Sequence, residues 1–120
     1  MSTINNSEIS NENDLALIRA SYEGDTTSVK NILKNNININ ATNSEGDTAL
    51  NCACKRGHIK IVELLFASTH DINIESIDYD GNTPLICASI NNYHEIVEFL
   101  LNMGADREAV GDDGKTALDA

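Results

Sequence analysis

Apolar positions recur along this chain in two alternating rhythms. From about His58 to Ala67, Ile61, Val62, Leu64 and Leu65 fall at helical spacing, and Ile96-Val97-Glu98-Phe99-Leu100-Leu101 repeats the pattern 35 residues later. A shorter helical pattern precedes each. In the first, from Thr48 to about Lys55, Thr48 is the expected N-cap, Leu50 and Ala53 share a face, and Gly57 ends the run. The segments Ile37-Asn38-Ile39-Asn40-Ala41 and Ile72-Asn73-Ile74-Glu75-Ser76 alternate in the manner of strands. Each leads to an acid–Gly turn, Glu45-Gly46 or Asp80-Gly81, with Asp113-Gly114 as a third copy, and these suit tight reversals. The predicted unit is two helices followed by a projecting hairpin finger.

The unit repeats. Gly46-Asp47-Thr48-Ala49-Leu50 returns as Gly81-Asn82-Thr83-Pro84-Leu85 and Gly114-Lys115-Thr116-Ala117-Leu118, at spacings of 35 and 33 residues. A looser copy of the second helix reads Val29-Lys30-Asn31-Ile32-Leu33. The two extra residues fall within Ala67-Ser68-Thr69-His70, where they are expected to lengthen a surface loop at little cost. Asn36, Asp71 and Gly104 occupy the expected C-cap column, and all three residue types tolerate a left-handed backbone.

These residues resemble ankyrin repeats. The family pattern is an Asp, two variable residues, Gly-x-Thr-Pro-Leu-His, an Ala pair, Gly-His, Ile-Val, Leu-Leu and Gly-Ala-Asp. It stands here as Asp78, Gly81, Thr83-Pro84-Leu85, Ala88, Ile96-Val97, Leu100-Leu101 and Gly104-Ala105-Asp106, with Gly57-His58 in the preceding copy. The resemblance implies an all-α solenoid with β-hairpin fingers. Residues 1–13 form a polar tail, 14–43 a capping repeat, 44–76 and 77–110 full repeats, and 111–120 a partial one. The family's Thr-Pro-Leu-His imidazole is replaced by Asn51, Ile86 and Asp119, so the hydrogen bonds it provides, worth about 1 kcal/mol each, are expected to be missing. The last repeat stops early, which predicts an exposed apolar end and a monomer or weak self-association through that end.

Composition narrows the partners. The formal charge is −11, which disfavours phosphate backbones and fits a protein partner with a basic patch rather than nucleic acid. No apolar run approaches the roughly 18 residues of a membrane span, and no secretory signal is visible, so a cytoplasmic chain, or one delivered into a host cell, is expected. Asn and Ile crowd Asn35-Asn36-Ile37-Asn38-Ile39-Asn40, and their A/T-rich codons point to an AT-rich genome. The three cysteines, Cys52, Cys54 and Cys87, read as small buried hydrophobes in a reducing compartment.

Chemistry-bearing motifs fall short of sites. His94 and Glu98 share a helical face, but two ligands do not close a metal site, and Glu98 aligns with Glu63 on a solvated side. Cys52, Cys54 and His58 invite a metal reading, yet positions two apart on a helix diverge. Asp78-Tyr79-Asp80-Gly81-Asn82 has its Gly too early for a calcium loop. No nucleophile elbow or phosphate-cradling glycine loop occurs, so neither catalysis nor a cofactor is expected.

What remains is an interaction surface. Glu45, Asp80 and Asp113, with Asp47 and Asp112 beside them, should form an acidic ridge on units stacked about 10 Å apart. In ankyrin repeats, the finger tips and the end of the first helix line the concave face. Carried over by position, that face comprises Ser44, Glu45, Asp47, Lys55, Arg56, Tyr79, Asp80, Asn82, Ile90, Asn91, Asp112, Asp113 and Lys115. The expected function is a non-enzymatic adaptor. The alternative is a remnant of a longer array with only a structural or self-associating role.

Overall fold

Threonine hydroxyls start the first helix of each repeat. Thr48 sits in extended backbone (φ −88°, ψ 170°), and its hydroxyl accepts from the Asn51 amide nitrogen at 3.1 Å. The Asn51 side-chain oxygen in turn accepts from the Thr48 backbone N–H at 2.9 Å, closing a reciprocal cap. Thr83 caps Ile86 at 3.3 Å, with Pro84 in the first turn where its missing N–H costs nothing. Asp25 accepts from the Ser28 amide at 3.1 Å and from its hydroxyl at 2.7 Å. These bonds, led by the one from the hydroxyl, hold the Asp25 carboxyl below its ordinary range.

The computed structural model describes residues 12–108 and contains six helices: α1 (Glu12–Glu23), α2 (Thr26–Ile32), α3 (Ala49–Arg56), α4 (Ile59–Ser68), α5 (Pro84–Ile90) and α6 (His94–Asn102). They form three pairs in two layers. The first helices stack with α3 between α1 and α5, and the second with α4 between α2 and α6. One core runs through the stack, filled by repeating columns: Leu17, Leu50 and Leu85; Ala20, Ala53 and Ala88; Ile61 and Ile96; Leu65 and Leu100. The alanine column lets neighbouring first helices approach closely. Each fully buried leucine contributes about 1.5–3 kcal/mol of transfer free energy. Phe66 and Phe99 meet edge to face with centroids 5.4 Å apart, joining α4 to α6. Cys52, Cys54 and Cys87 are free and buried in this core.

Left-handed backbone does not occur where Asn36 and Asp71 had suggested it. Among the described residues, the only non-glycine with positive φ is Asn92 (63°). It shares a column with Gly24 and Gly57 in the turn between paired helices. Of the expected C-cap column, only Gly104 is left-handed (φ 100°); there the Ala105 N–H returns to the Leu100 carbonyl at 2.9 Å. Helix α2 ends earlier, at Ile32. Helix α4 runs on through Ala67 and Ser68 before an extended Thr69 (φ −162°), so part of the inserted segment lengthens the helix rather than the loop.

Side chains clasp successive repeats together. Asn51 is wholly buried, and its amide donates to the Ser76 carbonyl at 2.9 Å. The asparagine therefore supplies the link that a missing imidazole had been expected to remove, whereas Ile86, one repeat on, is packed in the core. Along the opposite loops, backbone N–H groups of Asn38, Asn73 and Asp106 are accepted by Asp14 (2.8 Å), Asn40 (2.8 Å) and Glu75 (2.7 Å) respectively. Asn51→Ala strips the cap and the clasp at once and leaves the Thr48 N–H and Ser76 carbonyl without their partner. It is expected to lower stability by about 2–3 kcal/mol. Urea unfolding measures this, and Asn51→Asp, which keeps the cap but lacks the donated amide, should fall between the two.

Candidate functional site

Each finger is folded by a side chain at its base. The Asn43 amide oxygen accepts from Glu45 N (2.9 Å) and Asp47 N (3.0 Å), while the Asn43 N–H donates to the Asp47 carbonyl (3.0 Å). One repeat later the Asp78 carboxylate accepts from Asp80 N and Asn82 N, both at 2.9 Å, and the Asp78 N–H donates to Asn82 (3.0 Å). No strand is present among the described residues; the reversals are closed by these bonds alone. They turn Ser44, Glu45, Tyr79 and Asp80 outward, with Tyr79 82% exposed.

Asp47 points the other way. It is buried, as is Asp78, and the Lys55 ammonium bridges the two at 2.9 Å and 3.2 Å. Burial alone would pull the Lys55 pKa down, but the hydrogen bond and charge of Asp47, and then Asp78, outweigh it and hold the ammonium above its ordinary value. Burial pushes the Asp78 carboxyl up; the Asn82 backbone bond, the Cys87 thiol (3.3 Å) and Lys55 together pull it below the usual carboxylate range. The thiols move the opposite way. Burial, reinforced by the Asp47 charge, raises Cys52 to about 12, and burial likewise raises Cys54 and Cys87, so all three remain protonated at neutral pH.

Between the two fingers lies a hollow of about 460 Å³ lined by Ser44, Glu45, Asp47, Lys55, Tyr79 and Asp80. All six belong to the surface expected from sequence. A second hollow, of about 430 Å³, adjoins it on the α1 side and shares Ser44, Glu45 and Asp47. The other expected residues lie around this trough. Arg56 is laid over the Tyr22 ring, 4.6 Å from its centroid. Ile90 is half-exposed, Asn91 is exposed with its amide on the Cys87 carbonyl (2.9 Å), and Asn82 is half-buried. Asp112, Asp113 and Lys115 lie outside the described residues. Sequence reasoning left out Leu15, Arg19 and Tyr22, which line the second hollow. The signal for Tyr22 was its column, shared with Lys55 and Ile90.

His94 and Glu98 stand exposed on α6, and His58 packs its ring beneath Gly24, 3.2 Å from the Tyr22 carbonyl. Among the described residues no three of His, Cys, Asp and Glu are grouped to hold a metal ion. No described helix is long and apolar enough to cross a membrane.

Paired helices stacked in two layers, with fingers along one edge, define a helical repeat protein. The chain belongs to the ankyrin repeat family: the family model described as Ankyrin repeats (3 copies) matches residues 17–111. No curated protein matches the chain. Repeats of this family generally mediate protein–protein interaction and are generally non-enzymatic.

Proposed function

We propose that this chain is an adaptor that holds a protein segment in the trough between its finger tips and first helices. The observation that carries this reading is the hollow between the fingers, where Tyr79 stands 82% exposed beside Glu45 and Asp80. A solvent-facing aromatic at the mouth of a concavity is the kind of group that anchors interfaces. Around it, Glu45, Asp47, Asp78 and Asp80 set four carboxylates against the Lys55 ammonium, leaving a net charge of −3. That field favours a basic partner, and at a screening length of about 8 Å it acts mainly on encounter rate and salt sensitivity.

A tagged pull-down from native or host lysate, read by mass spectrometry, tests the reading against a Tyr79→Ala/Ile90→Ala variant of unchanged helix content. A partner captured by the native chain should be lost by the variant. With that partner in hand, Tyr79→Ala alone should weaken binding by about 2 kcal/mol, roughly 30-fold. Equal capture by both proteins would remove this face from the interaction.

A further inference from the structure

The trough has two chemically different ends. Toward α1, the second hollow is floored by buried Ile18 and walled by Leu15 and Tyr22, which remain 44% and 47% exposed. Leu15, Ile18 and Tyr22 sit three and four residues apart on α1, so one helix face supplies the apolar wall. Arg19 lines the same hollow, and Arg56 lies on the Tyr22 ring, so the charge near this end is positive. Toward α5, the hollow between the fingers has no aliphatic wall and carries the net negative charge described above. Glu45 belongs to both hollows and stands at the ridge between them.

Resting on the adaptor reading, we infer that the trough selects a bipartite protein segment: an apolar side chain with a neighbouring carboxylate for the Leu15–Tyr22 socket, and a lysine or arginine for the acidic hollow. The two features are set one repeat apart, about 10 Å. That distance corresponds to three residues of extended chain or seven of helix. Because the ends differ in charge sign, the trough also fixes the direction in which the segment lies. A reversed segment would place its carboxylate against Glu45 and Asp80 and its basic group against Arg19.

Panning a random 12-residue peptide library displayed on phage against the full chain tests this, followed by titration of resynthesised peptides. Enriched peptides should share an apolar residue next to an acid, with a basic residue at either of the stated spacings. Their affinity should fall at least tenfold on Leu15→Asp and on Arg19→Glu, both exposed positions where the fold, checked by circular dichroism, is retained. Panning on a Glu45→Lys/Asp80→Lys chain should enrich an acid where the native chain enriched a base. Peptides that lose binding to Tyr79→Ala but ignore Leu15→Asp and Arg19→Glu would overturn the bipartite socket and leave the adaptor face standing. Peptides indifferent to all of these substitutions, or no enrichment over a blank surface, would overturn both.

Discussion

Gly57→Ala should lower the stability of this chain by about 3 kcal/mol, far more than one added methyl group suggests. Gly57 has φ 79°, a left-handed backbone that costs an L-residue about 1–2 kcal/mol. A Cβ there would lie 2.6 Å from the Tyr93 ring, which the next repeat packs against the glycine. The ring has little room to withdraw, because the neighbouring Ile96 is fixed in the core of the same repeat. The penalty is therefore a repeat-to-repeat clash added to local strain. Gly104→Ala is the control: φ is 100°, but nothing lies within 4 Å of its Cβ, so only the backbone term of about 1–2 kcal/mol applies. Urea midpoints of the two variants separate the terms. Equal losses would show that Tyr93 is free to move and that the stacking of rings on glycines contributes nothing to coupling between repeats.

The same column shows how far sequence reasoning reached. A glycine between two helical patterns marked the turn at Gly57, and the recurrence at fixed spacing made the stack legible, because stacked units must bury identical columns. The turn at Asn92 was not legible. Asparagine tolerates left-handed backbone but equally caps helices and folds loops, so its presence at Asn36 pointed to the wrong position. The loop asparagines carry a different task. Asn38 and Asn73 accept from the N–H groups of Asn40 and Glu75, two residues on, and Asn40 reaches across to Asp71 and Asn73. Codon bias needs no part in explaining those amides. Alternation of Ile and Asn in 37–40 does predict burial, since Ile39 is buried while Asn38 is exposed, but the chain turns at 39–40 instead of extending.

For the candidate site, column arithmetic was sufficient to bring Ser44, Glu45, Lys55, Tyr79 and Asp80 into one hollow, since residues of equal phase in successive repeats become neighbours. It could not separate Glu45 from Asp47. Two acids flank Gly46, and only the three-dimensional position of Lys55, eight residues further on, decides that Asp47 turns inward while Glu45 faces solvent. The acidic ridge is thus formed by finger-tip carboxylates on a neutralised base. Asn51 likewise shows that replacing a family residue need not remove its contact, because a side-chain amide also joins a donor and an acceptor.

Lys55→Met should cost about 2–3 kcal/mol at neutral pH, the low end of the range for breaking a buried ion pair because the lysine is partly solvated. Asp47 and Asp78 would be left side by side without a counter-charge, and the finger of one repeat would lose its tie to the finger of the next. The loss should depend on pH in a defined direction. Asp78 has its folded pKa below the ordinary 3.8, so its share of the stability is complete above that value and disappears as pH falls through the lower folded value. Lys55 has its folded pKa above 10.5, so its share is complete below 10.5 and disappears as pH rises through the higher folded value. The difference between native and Lys55→Met proteins should therefore form a plateau between about pH 4 and pH 10 and shrink on both sides. Guanidinium is unsuitable for the measurement because it screens the pair, so urea midpoints across pH are the readout. A difference that stayed constant down to pH 2 would mean that Lys55 stabilises through its aliphatic stem. In that case the fingers would be held by Asn43 and Asp78 alone, and the trough they form would lack an electrostatic lock between its walls.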